Sequence, residues 1–175
     1  MNLFIIFIVL LLSGGVLWSL LSFHSVRQQQ NMLTQVWQWV NETLISRNEI
    51  LSNLQDIAKA SGVVAGSEVD PLRDLIAQDT SLDSEAVTDR TAIQNAIRQQ
   101  AHHLVVRLEQ VPTIAGHPDY QAAKQALIAT EQVLVKAVQQ YNRSVQLYNA
   151  LLLKQPNAWL AEKWHYVPAP YSKMG

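Results

Sequence analysis

Between Leu3 and Phe23 the chain reads LFIIFIVLLLSGGVLWSLLSF, 21 residues without one ionisable side chain. A helix apolar on every face must be buried in protein or in lipid, and a hydrocarbon core about 30 Å thick takes roughly 20 such residues. The run therefore predicts a retained, single-pass membrane anchor over residues 1–24, with the lipid bilayer as its partner. A cleaved secretory signal fits less well. No basic residue precedes the run, it exceeds the ~7–15 apolar residues of a signal, and no small-x-small cleavage site follows. Gly14-Gly15 does not make a full GxxxG contact motif. Arg27 is the first basic residue after the run and none precedes it, so the charge bias leans toward a cytoplasmic C-terminal part. Only Met1 and Asn2 stand before the anchor, which argues against signalling across the membrane.

The remaining chain is long enough for one compact domain. From Gln28 to Ala60 there is no Pro and no Gly, and Val36, Val40, Leu44, Leu51, Leu54 and Ala58 recur at helical spacing, with Arg47 on the same stripe. The anchor is expected to run straight into this helix, which Gly62 ends. Asp70 before Pro71 predicts a short helix over Pro71–Gln78. A second long helix is expected from about Asp83 to Val111, with Ile93, Ile97, Leu104, Leu108 and Val111 inward and Pro112 as its stop. PTIAGHPDY reads as a loop. A third long helix runs from Pro118 to about Lys154, and Asn157 caps a short turn before an extended, loose tail. The expected fold is all-α: a transmembrane helix continuing into an antiparallel bundle of three long helices plus short ones (residues 25–156), then an aromatic tail (157–175). Three long helices, alternating in direction, place Trp159 and Trp164 at the end of the bundle far from the anchor, beside Gly62.

The third helix says Tyr-Asn twice, at Tyr141-Asn142 and Tyr148-Asn149. Leu127, Glu131, Leu134, Val138, Tyr141, Val145, Tyr148 and Leu152 step by three and four, the seam of a packed helix. Seven residues fall about 20° short of two turns, so the tyrosines stack along the seam and each asparagine lies at its edge. Trp37 is expected on the facing helix. Glu131, Asn142 and Asn149 form a polar stripe, and the first helix offers Arg47 and Asn53 to it. An arginine on a core stripe is costly unless paired, and Glu131 is its natural partner. Fixing helix register explains such a network more simply than a ligand site does.

TEQVLVKAVQQYNRSVQLYN followed by Pro156 resembles the LemA family, whose third helix carries two Tyr-Asn pairs seven residues apart and then a proline. Trp37, Val40, Leu44 and RNEILSNL resemble the family's first helix, and Val111-Pro112 its Tyr-Pro. The resemblance covers about Trp37–Leu54 and Val111–Ala161. Val138 stands where the family commonly has arginine, Asn41 where it has aspartate, Gln132 where it has asparagine and Ser52 where it has proline, so any shared charge network is reduced. The resemblance implies a membrane-anchored bacterial helical protein of the inner membrane, working with a membrane or envelope protein partner and with no established reaction.

Little else points to chemistry. The chain has no cysteine, which excludes disulfides and thiol catalysis, and its net charge of -1 disfavours a general nucleic-acid partner. His102 and His103 are adjacent, about 100° apart on a helix, and one is expected at the surface and one packed. Glu162 and His165 make one E-x-x-H, where a di-metal bundle needs two together with further glutamates. No catalytic, cofactor-binding or metal residue is assigned. The reading is a membrane-tethered interaction or scaffold protein, with a ligand-sensing bundle as the alternative. Trp159 and Trp164 are a cap or a partner-docking surface, and self-association is left open.

Overall fold

A computed structural model describes residues 2–62, 66–82, 87–154 and 157–174. The described residues are helical or irregular, with no strand among them. The helices are α1 (Asn2–Ala60), α2 (Gly66–Ser81), α3 (Val87–Glu109), α4 (Pro112–Ala115), α5 (Pro118–Leu152) and α6 (Asn157–Lys163). The chain divides into two compact units, one of residues 1–36 and 142–169, the other of residues 37–141 and 170–175. The long helices α1 and α5 contribute to both.

The larger unit, residues 37–141 with 170–175, is built by four helices that alternate in direction. Asn48 of α1 meets Asp79 near the end of α2, while Gln55 of α1 meets Val69 near its start. α2 therefore runs back along α1. Arg90 and Gln94 of α3 reach Asn41 and Arg47, so α3 runs parallel to α1. α5 returns, bringing Glu131 to Arg47 and Tyr141 to Trp37. Their apolar seams meet in a core that includes Leu51, Leu54, Leu72, Ile97, Leu108 and Tyr120. Gly62 ends the first helix at φ +64, a left-handed conformation that costs glycine nothing.

This arrangement has one more full helix than the sequence pattern predicts. α2 spans 16 residues rather than the eight from Pro71 to Gln78, and Pro71 falls inside it. Its inward positions are Val69, Leu72, Ile76 and Asp79. An aspartate occupies the seam position where an apolar residue would have extended the pattern. The stretch PTIAGHPDY, expected as a loop, contains α4, with Ile114 buried.

In the other unit, Val26 of α1 packs with Tyr148, Leu152 and Ala161, flanked by Leu33, Leu151, Tyr166 and Ala169. The Phe23 and Trp164 rings meet edge-to-face, with centroids 5.0 Å apart. Trp164 therefore sits against the anchor end of α1, whereas the sequence pattern puts it far from the anchor. The tail after His165 has no regular secondary structure, but it is not loose. Asn149 donates to the Ala169 carbonyl at 3.0 Å and accepts from its N–H at 2.9 Å. In the larger unit, the tail's Ser172 and Met174 are buried.

The proposed span Leu3–Phe23 lies within α1 by backbone, but the side chains of residues 3–5, 8, 9, 12, 16 and 22 lie outside the described ones. Among the described residues no helix is long and apolar enough to cross a membrane.

Candidate functional site

Two polar networks lie within the larger unit. Arg47, 1% exposed, is fixed by the core stripe of α1 on which it stands. Its guanidinium donates to Glu131 Oε1 at 3.1 Å and to Gln94 Oε1. Glu131 Oε2 receives a second arginine, Arg98, at 3.5 Å. Burial pulls the Arg47 pKa below its ordinary value. Arg98 pulls the same way, while Glu131 and Asp79 oppose it. Arg47 Nε and Gln94 Nε2 are buried without a hydrogen-bond partner, so the cluster is tightly packed but not fully satisfied.

The second network was not foreseen in the sequence. Arg90 donates from Nε to Asp79 Oδ1 at 3.1 Å, from Nη2 to the Asp79 carbonyl at 3.2 Å, and from Nη1 to Asn41 Oδ1 at 2.6 Å. Asn48 donates to Asp79 Oδ2 at 3.0 Å. Both Asp79 and Arg90 are buried. A signal for this existed. Arg90 and Gln94 extend the stripe of Ile97, Ala101, Leu104 and Leu108 backward at steps of three and four, so their side chains had to enter the core. Three arginines and two carboxylates make up these networks, and Asn41 stands where the resemblance to the LemA family puts an aspartate.

Beside the second network is a cavity of about 630 Å³ whose walls include Asn48, Glu49, Asn53, Asp56, Asp79 and Arg90. Asn53, expected with Arg47 on the polar stripe, is exposed and lines this cavity instead. A smaller cavity of about 380 Å³, at the C-terminal end of α1, includes Ile57, Ile114 and His117.

The two Tyr-Asn pairs separate by role. Tyr141 packs on Trp37, ring centroids 4.8 Å apart, and its hydroxyl donates to the Pro170 carbonyl at 3.0 Å. Burial pushes the Tyr141 phenol up to about 12. Asn142 is half-buried. In the other unit, Asn149 holds both backbone groups of Ala169, and Tyr148 lies in the core with its phenol raised by burial and by Tyr166. A seam tyrosine and an edge asparagine thus hold the main chain of the tail, one in each unit. The polar stripe of Glu131, Asn142 and Asn149 is not one network: Glu131 serves the arginines and Asn149 serves the tail.

His102 and His103 are both exposed, rather than one packed, because the α3 stripe passes through Ala101 and Leu104 on either side of them. His165 adopts φ 55 where α6 ends, and Tyr166 N–H closes the turn on the Ala161 carbonyl at 3.0 Å. Among the described residues no three His, Asp or Glu side chains converge as a metal-ligand group.

The family model of the LemA family matches residues 36–174, taking in α2, α3, α5, α6 and the tail as well as the segments that carry the Tyr-Asn motif. The chain belongs to the LemA family. No curated protein and no solved structure matches it. The LemA match begins one residue before Trp37 and so leaves out Leu3–Phe23.

Proposed function

We propose that this LemA-family protein is a membrane-tethered helical scaffold, held in a bacterial inner membrane by Leu3–Phe23 and acting through protein contacts without catalysis. The observation that carries the tether is on α1. Ile6, Phe7, Leu10, Leu11, Leu17, Trp18, Leu20 and Leu21 are all more than half exposed. At 100° per residue they cover about half the helix circumference, wider than the apolar stripe of about 100° that a surface helix lays on a core. Water is a poor solvent for such a surface and lipid is a good one. Ser13, within the run, donates back to the Leu10 carbonyl at 3.0 Å, which satisfies its hydroxyl without water.

The non-catalytic reading is supported by how the buried charges are spent. Arg47 and Arg98 face Glu131, and Arg90 faces Asp79. Each buried ion is engaged with an opposite one, and such groups lock helices together. Carbonate extraction with intact-mass analysis tests the tether. The full-length chain is expected in the membrane pellet, and a soluble mature form starting after about residue 24 would refute it. For the scaffold role, photocrosslinkers at exposed Trp39, Ile45 and Ile128 in native membranes are expected to trap one recurring membrane or envelope protein, or a second copy of the chain.

The cavity beside Asp79 and Arg90 favours a second reading, a ligand-sensing bundle. It predicts a small molecule that raises the melting temperature of the wild type but not of a variant carrying Asn53→Leu and Asp56→Leu.

A further inference from the structure

We propose that α6 and the turn after it form a second membrane contact, an interfacial patch that rests on anionic lipid beside the end of the anchor. This rests on the reading of Leu3–Phe23 as a membrane span and adds to it a lipid-facing surface from the other end of the chain. The patch belongs to the unit of residues 1–36 and 142–169. Trp164 meets Phe23, the last residue of the apolar run, edge-to-face at 5.0 Å. A ring held against the end of a membrane span stands at the level of the lipid headgroups. Trp164 is nonetheless 48% exposed, Trp159 54% and Leu153 82%. Tryptophan favours this level of a bilayer because its apolar body and polar N–H find both solvents there.

Charge points the same way. This unit carries Arg27, Arg143, Lys154 and Lys163 against Glu162 alone, a net +3, while the nine remaining basic and thirteen remaining acidic residues give the other unit -4. The whole-chain charge of -1 conceals this division. Lys154 follows the end of α5, and the Lys163 ammonium lies 5.1 Å from the Trp159 ring centroid, at the edge of the aromatic patch. Basic residues around exposed tryptophans and leucine match a surface of anionic headgroups over acyl chains.

The absence of native cysteine makes the test clean. Single cysteines at Leu11, Gln35, Leu153 and Trp159, all exposed positions, carry a nitroxide label in the full-length protein. The protein is reconstituted in vesicles of phosphatidylcholine with or without phosphatidylglycerol. Gln35 is twelve residues beyond Phe23, about 18 Å along the helix, and serves as the aqueous reference. The ratio of oxygen to nickel-chelate accessibility is expected to be severalfold higher at Leu153 and Trp159 than at Gln35, and highest at Leu11. Lys154→Glu with Lys163→Glu should lower it at the patch in the vesicles containing phosphatidylglycerol and leave Leu11 unchanged. If Leu11 is in lipid while Leu153 and Trp159 match Gln35, the patch is overturned and the tether stands. If Leu11 is in water and the patch labels are in lipid, the tether falls and the lipid-facing patch stands. All labels in water overturns both. Patch labels unaffected by the charge reversals overturn the selectivity for anionic lipid.

Discussion

Glu131 faces two arginines that differ in burial, and that difference decides what each is worth. Arg47 is 1% exposed and donates to Glu131 at 3.1 Å, whereas the Arg98 side chain is 32% exposed and stands 3.5 Å away. Breaking a buried pair strands the remaining charge, so Arg47→Leu or Glu131→Leu alone should cost about 3–5 kcal/mol. The double replacement should cost much less than the sum, and denaturant titration of the four-member cycle measures the coupling. Arg98→Ala should cost under about 1 kcal/mol, because water already screens that contact. Asn41 gives a prediction of opposite sign. It accepts from Arg90 at 2.6 Å as a neutral amide, and hydrogen bonds to a charged acceptor are stronger by about 1 kcal/mol. Asn41→Asp should therefore raise stability at neutral pH by about that amount. A melting temperature equal to or below the wild type would show that the arginine is already satisfied. Tyr141 supplies a pH dependence. Burial lifts its phenol from 10.0 to about 12, so between those values the folded state keeps a proton that the unfolded chain has released. Stability is intact below about pH 10 and falls as the pH rises toward 12, by at most about 2–3 kcal/mol. Tyr141→Phe should start lower, having lost its bond to Pro170, and show a shallower alkaline decline in unfolding measured from pH 9 to 12.

At the level of the helices, α2 is held to its neighbours by Asp79, which accepts from both Arg90 of α3 and Asn48 of α1. Asp79→Ala leaves Arg90 buried without its counter-ion. Hydrogen exchange should then lose protection over 66–81 and the start of α3, with α5 keeping its own. Uniform loss across all helices would mean that α2 does not open separately. The same aspartate explains what the sequence concealed. α5 was legible because its inward residues from Leu134 to Leu152 are apolar or tyrosine except for Ser144, and its observed limits, Pro118 and Leu152, lie close to where proline signals put them. α1 after Gln28 was legible because Val40, Leu44, Leu51, Leu54 and Ala58 keep an apolar stripe among its buried polar residues, and the arginine on that stripe called for a carboxylate that Glu131 offers on the facing seam. α2 and the first turns of α3 use Asp79, Arg90 and Gln94 as inward residues. Apolar periodicity registers poorly where a seam passes through Asp79, Arg90 and Gln94. Reading α2 as a short helix over Pro71–Gln78 rather than a full one of 16 residues changed the direction expected for each later helix, which is why Trp164 was expected far from the anchor and is instead found against Phe23. The tail itself, with its two prolines, carries no periodic signal. Its place is set by Asn149, whose amide pairs with both backbone groups of Ala169. Asn149→Ala should cost about 1–2 kcal/mol and raise proteolytic cleavage between Tyr166 and Lys173, while Asn149→Asp, which keeps only the acceptor, should be intermediate.

For the whole molecule, the core and the apolar run are separable. One core cluster begins at Leu51 and another at Val26, and among the described residues neither contains one of Leu3–Phe23. Removing residues 2–22 keeps Phe23 against Trp164 and takes away large apolar side chains that are exposed to solvent among the described residues. The shortened chain should therefore fold, with a melting temperature within a few degrees of the full-length protein in the same detergent. It should also need no detergent to stay in solution, since its largest exposed apolar surface is gone. Under the tether reading it leaves the carbonate-washed membrane pellet in which the full-length chain remains. Under the lipid-patch reading it keeps weak, salt-sensitive binding to phosphatidylglycerol vesicles through Trp159, Trp164, Lys154 and Lys163, because a few juxtamembrane charges act only within a Debye length of about 8 Å at physiological salt. Flotation of the shortened chain at low and high salt separates these terms. Binding lost at high salt is the expected result, while binding that survives it would assign the apolar side chains the larger share. No binding at either salt would leave Leu3–Phe23 as the sole membrane contact.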